Sequence, residues 1–278
     1  MQYAPANKIG LILGSLLAAA SILSCNYTDA GVHQPRAAIV DQLSLTIPNP
    51  GLAQRTAAAL NENGYNVDYF SGEETDVNFY RNLPKGDYDL VVFRNHSTRL
   101  EITYPHGEAF DQVILFTNEP SVGVPVSNEG GVTIYNVPTE EYNRYGRYKD
   151  DIDAGRLALV AYSAEDLKSS EGERYFGISA RFVADSMIGE FEDTVIIMMG
   201  CEGLLTESTA KAFIERGADA YVSWDESVTA THNDKATERL IHYLVSDGLE
   251  LGEAVSMTSD EVGPDPFFAS ELKIYPKN

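Results

Sequence analysis

Basic residues are scarce: 20 Lys and Arg stand against 42 Asp and Glu in 278 residues, for a formal charge of −22. That sign opposes the phosphate neutralisation that supplies most nucleic-acid affinity, and it disfavours anionic membrane surfaces as well. Cysteine is scarcer still. Cys25 and Cys201 are the whole complement, so no multi-bridge disulfide framework is available. No apolar run reaches the roughly 20 residues of a membrane span, and no internal repeat or low-complexity tract is visible. Histidine and carboxylate spacings match no zinc site, so neither a metal nor a cofactor is expected. What is present is ordinary: 44% hydrophobic and 10% aromatic residues, enough for one large folded domain or two small ones.

The N-terminus reads Lys8, then an apolar and small-residue run at 9–23, then Ser24 and Cys25. This has the form of an export signal, followed by a polar tether at 25–35. The sequence Ile22-Leu23-Ser24-Cys25 resembles the lipobox of prokaryotic lipoproteins, which implies cleavage after residue 24 and lipidation of Cys25; a plain signal peptide is the alternative. Either way the mature protein is expected outside the cytoplasm, at the cell surface or in the periplasm, with a lipid anchor as its sole membrane attachment. A Cys25–Cys201 bridge through a flexible tether is a poor staple. Cys201 then stands as a lone thiol in an exported chain, which suggests a thiol kept for chemistry.

From residue 36 apolar strands alternate with amphipathic helices. Strand signals fall at 36–41, 65–69, 89–93, 194–199, 220–224 and 271–275; helices are expected at 50–64, 206–216, 233–246 and 252–258, with a short one at 76–83. That alternation predicts an α/β fold with a mostly parallel sheet. The middle is less regular. Strands at 111–117 and 132–137, a hairpin of 157–162 with 175–178, and a helix capped by Ser179 make up an insertion at about 97–190, between two of the core strands. Residues 140–155, rich in Tyr, Arg and Asp, read as an exposed segment of it, and Asp151 and Asp153 as a solvated charge run rather than a calcium loop.

In an open parallel sheet, ligands bind beyond the carboxyl ends of the strands. Asp41, His96, Cys201 and Asp225 each follow a proposed strand. A cysteine nucleophile needs a base within reach, so His96 and Cys201 form a candidate dyad. A strand ending in histidine, then an apolar strand ending in Cys-x-Gly, a helix, Gly-Ala-x-Ala and a strand with tryptophan at its end resembles the caspase-like fold, especially its gingipain and CHAT-type branches. The matching residues are 89–96, Val195 through Cys201-Glu202-Gly203, and 212–244.

The resemblance implies a caspase-like three-layer sandwich at 36–278, on a six-stranded, mostly parallel sheet, and cysteine endopeptidase activity on a peptide or protein substrate. It implies that Cys201 attacks the scissile carbonyl and His96 protonates the leaving amine. Ser97 and Gly200 would border the oxyanion site, Trp224 would wall the substrate groove, and Asp225 would lie in it. Asp41 either caps a loop or meets a substrate amine.

Three departures from the family pattern stand at Ser97, Met199 and Glu202. They favour a second reading, a catalytically inactive caspase-like domain binding a peptide or surface partner. A third, a small-molecule-binding α/β domain, requires no relation between His96 and Cys201. His106, His232 and His242 read as ordinary loop or helix residues. Asn95-x-Ser97 has the form of a glycosylation sequon, but its place at a strand end makes modification unexpected.

Overall fold

Two continuous apolar runs organise the molecule. Leu90–Arg94 (β3) and Thr194–Met199 (β10) are buried along nearly their whole length, as befits strands covered on both faces. They pair in parallel at the centre of a six-stranded sheet. Arg36–Asp41 (β1) and Asn66–Ser71 (β2) extend it on one side, Ala218–Trp224 (β11) and Leu272–Tyr275 (β12) on the other. The order is β12-β11-β10-β3-β1-β2, with β12 alone antiparallel. The expected mostly parallel six-stranded sheet is therefore present.

The computed structural model describes residues 33–103, 109–121, 127–129, 132–134, 148–163, 165–166 and 172–276. The expected signal segment, Cys25, most of the tether and His106 lie outside them. From Gln34 onward the chain makes one unit by its contacts.

Helices cover both faces. Pro50–Glu62 (α1) starts where Asn49 accepts a hydrogen bond from the Leu52 N–H, with proline in its first turn. It shares a core with the later helices Ala230–Ile241 (α6) and Leu251–Val262 (α7), built on Leu60, Leu240, Ile241, Ala254 and Val255. The other face carries Val77–Asn82 (α2), Ala180–Ser186 (α4) and Ser208–Glu215 (α5), with Tyr80, Phe182 and Phe213 buried against Phe93 and Tyr221. Ser179 caps α4 as expected, accepting from the Phe182 N–H. Thr206 does not cap α5; its hydroxyl meets that of Ser208.

The insertion is a second sheet rather than a loose loop. Ser97–Thr103 (β4), Ala109–Ser121 (β5), Ser127–Glu129 (β6), Val132–Ile134 (β7), Leu157–Val160 (β8) and Arg174–Ile178 (β9) take the order β6-β7-β4-β5-β9-β8. The expected hairpin is the antiparallel β8–β9 pair. Leu100, Ile114, Leu159 and Ile178 join the same core as Phe93 and Met198, so the insertion covers the sheet face beside the site.

Over its described part the exposed reading of 140–155 holds for Asp150 and Asp153 but not for the residues between and before them. Tyr148, Asp151 and Ile152 are buried around the short helix Lys149–Asp153 (α3). Asp151 is no solvated charge: it pairs with Arg81 at 2.7 Å and Arg156 at 2.6 Å. Burial acts to raise its pKa, but the hydrogen bonds from Arg156 and Arg81 outweigh that and hold it below the ordinary value. Asp151→Ala is expected to cost about 1–3 kcal/mol, because two guanidinium groups lose their shared acceptor. The contribution is present above the unfolded carboxylate pKa of about 3.9 and is lost as the pH falls below it, so the gap to wild type in urea unfolding should narrow in acid.

Candidate functional site

The strand ends are level. Asp41 of β1 pairs with Arg94 of β3, and Arg94 with Met199 of β10. From β1 the chain continues to β2 on one side, and from β3 it continues to β10 on the other. The order thus reverses between β1 and β3, which is where an α/β sheet opens a crevice.

His96 and Cys201 each stand two residues beyond a paired position, on adjacent parallel strands. The segments that bear them are tied together: the Asn95 N–H donates to the Met199 carbonyl at 3.2 Å, and the Ser97 hydroxyl donates to the Cys201 carbonyl. Gly200 is required there, since a Cβ would sit 2.2 Å from the Asn95 carbonyl oxygen. Glu202 takes φ +60°, a left-handed turn that costs a non-glycine residue energy and ends the strand abruptly.

The two side chains have different partners. The Cys201 thiol faces the loop after β11, where the Val228 N–H donates to Sγ and the thiol donates to the Val228 carbonyl, both at 3.5 Å. Burial raises the Cys201 pKa; the hydrogen bond from Val228 opposes the rise, and the charges of Glu202 and Asp265 add to it. The His96 ring faces the second sheet, with Phe116 at 5.7 Å and Tyr162 at 5.0 Å between centroids. Burial, reinforced by the Arg94 charge, pushes its pKa down to about 4. In this conformation the site holds a neutral imidazole and a protonated thiol with separate partners.

Gln42, the first residue after β1, fixes the histidine main chain. Its Oε1 accepts the His96 N–H at 2.9 Å, and its Nε2 donates to Asn118 Oδ1 and to the Tyr162 hydroxyl, each at 2.7 Å. The Tyr162 hydroxyl in turn donates to Asn118 at 2.7 Å. Sequence reasoning missed this ring because Gln42, Asn118 and Tyr162 are 120 residues apart at the extremes.

The other expected site residues fall as follows. Asp41 makes no cap to the turn after β1: it is buried, bonded to Arg94 at 3.0 Å and to the Tyr69 hydroxyl at 3.2 Å. Trp224 is fully buried, donating to Asn233 Oδ1 at 2.8 Å with its ring against His232. It supports the core beneath the site rather than walling a groove. Asp225 belongs to the sheet edge, accepting the Glu271 N–H at 2.7 Å and lying 3.8 Å from Lys273. Asn95 is also buried, bonded to the Tyr80 hydroxyl at 2.6 Å, which leaves the sequon inaccessible. Glu202 does not lie idle beside the thiol. It accepts from the Arg99 N–H at 2.7 Å and the Ser227 hydroxyl at 2.9 Å.

Among the described residues no group of His, Cys, Asp or Glu side chains could hold a metal ion, and no helix is long and apolar enough to cross a membrane. No protein-family model matches the sequence, and no curated protein matches it.

Proposed function

We propose that this chain is a caspase-like cysteine endopeptidase, exported and held to a membrane by lipid on Cys25. The observation that carries the reading is the level ending of β3 and β10, which brings the segments bearing His96 and Cys201 to one edge of a mostly parallel sheet, joined there by the hydrogen bond from the Ser97 hydroxyl to the Cys201 carbonyl. The neutral form of His96 is the one that can accept the thiol proton. In the proposed reaction Cys201 turns from Val228, loses its proton to His96 and attacks the peptide carbonyl, forming a C–S bond. His96 returns the proton to the amine as the C–N bond breaks. Water, deprotonated by His96, then cleaves the thioester and restores the thiol. The sulfur contacts given up are weak ones, so the turn costs little.

The inactive binding domain remains a second reading, favoured by the engagement of the thiol with Val228 rather than His96. Hydrolysis of an unbiased peptide library separates them. Wild type should cleave, Cys201→Ala should abolish cleavage, and His96→Ala should slow it by about 10²–10⁴-fold. Labelling by a small alkylating agent without peptide should instead be slow at pH 7, rise above pH 9, and be unchanged in His96→Ala, because the unliganded thiol has a raised pKa and does not touch the imidazole. Absence of cleavage in wild type would establish the binding domain.

A further inference from the structure

Two phenylalanines are exposed side by side: Phe267 at 81% and Phe268 at 52%. They occupy the turn between α7 and β12, flanked by the exposed Pro264, Pro266 and Ala269. The turn is rigid. Asp265 is buried, and its Oδ1 accepts from the N–H groups of Phe267 at 2.9 Å and Phe268 at 3.0 Å. Its main chain closes the loop at both ends, donating to the Ser270 carbonyl and accepting from the Ala269 N–H.

The turn is also joined to the thiol loop. The other carboxylate oxygen of Asp265 accepts from the Thr229 N–H at 2.9 Å and hydroxyl at 2.8 Å, and Thr229 directly follows Val228, which holds Cys201. The hydrogen bonds at Asp265 outweigh its burial and hold its pKa down at about 2, so the tie persists in mild acid. The segments that adjoin the turn are acidic: they carry Asp225, Glu226 and Glu271, with Lys273 paired to Glu271 and 3.8 Å from Asp225.

The geometry points to Phe267 and Phe268 as an anchor, on a turn hydrogen-bonded to the loop that holds Cys201, for a peptide segment that carries an apolar side chain beside basic residues. This deepens the peptidase reading by naming its substrate class, and it rests on that reading. Aromatic anchors contribute strongly to binding, and a main chain already fixed by the Asp265 carboxylate loses little backbone freedom when they are engaged. The acidic surround supplies complementary charge and rejects acidic segments.

Fluorescent peptides with a Leu or Ser anchor, each flanked by Lys or by Glu, would be titrated against the whole chain carrying Cys201→Ala. The Leu–Lys peptide should bind at least about 10-fold tighter than the other three, and Phe267→Ser/Phe268→Ser should remove that preference. Both positions are exposed, so the double variant keeps its fold. Equal affinity of the double variant and its parent for the Leu–Lys peptide would overturn the anchor. Cleavage by the chain with Cys201 intact provides the separate readout: preferred binding without cleavage overturns the peptidase reading alone, and cleavage whose Leu-to-Ser preference survives the double substitution overturns the anchor alone.

Discussion

Arg94→Leu should destabilise the protein by about 3–5 kcal/mol, because it leaves the buried Asp41 and the partly buried Asp234 carboxylates without their shared cation. Arg94 is 3% exposed. It reaches Asp234 through Nε at 2.6 Å and Nη2 at 3.0 Å, and Asp41 through Nη1 at 3.0 Å. Asn49, which caps α1, also donates to Asp234 at 2.9 Å. One guanidinium thus ties together β1, β3, α6 and the start of α1 at the point where the sheet order reverses.

Burial raises the Asp41 pKa, and the hydrogen bond and charge of Arg94 restrain that rise. Without Arg94 the carboxyl moves further toward the neutral form, so the deficit of the variant should shrink as the pH falls toward 4. Urea unfolding at pH 7 and at pH 4.5 measures both effects. Adding Asp41→Asn and Asp234→Asn to Arg94→Leu should recover most of the loss, since no unpaired charge then stays buried. A single variant within 1 kcal/mol of wild type would show that water already reaches the cluster.

The parallel sheet was legible because its central strands are buried on both faces, and residues 89–93 and 194–199 declare that as unbroken apolar runs. The second sheet was harder. In β4 charged residues alternate with Leu100 and Ile102, the pattern of a strand with one face toward water, and the run after His96 reads equally well as a loop. A lone carboxylate such as Asp41 looks the same in sequence whether it caps a turn or meets an arginine 53 residues away. Trp224 was placed at its strand end, but its burial depends on Asn233, which presents an acceptor one helical turn into α6. The thiol environment was least legible of all. Val228 holds Cys201 through its main chain, for which no side-chain signal exists, whereas the parallel pairing of β3 with β10 followed from the alternation of strands and helices.

The histidine also contributes to the acid sensitivity of the fold. Its pKa is about 4 in the native protein against about 6.5 in an unfolded chain. For a base the direction is fixed by that order: above pH 6.5 both states hold a neutral ring and stability is complete. Between 6.5 and 4 the unfolded state binds a proton that the native state refuses, and stability falls with each unit of pH. The total loss from this one residue is about 3 kcal/mol, reached near pH 4. The physical source is the packing of the ring against Phe116 and Tyr162, with the Arg94 guanidinium close enough to repel an imidazolium.

His96→Gln keeps a polar side chain of similar size and removes the titration. The stability difference between wild type and this variant, measured by denaturant unfolding at steps from pH 7.5 to 4, should therefore change by about 3 kcal/mol in favour of the variant as the pH falls. Taking the difference cancels the many carboxylates common to both proteins. A difference that stays flat over that range would mean that His96 is protonated as readily folded as unfolded, and hence that its ring reaches water. The imidazole would then be partly charged near pH 6.5, and the thiol would meet an imidazolium able to stabilise a thiolate rather than a base that must first take its proton.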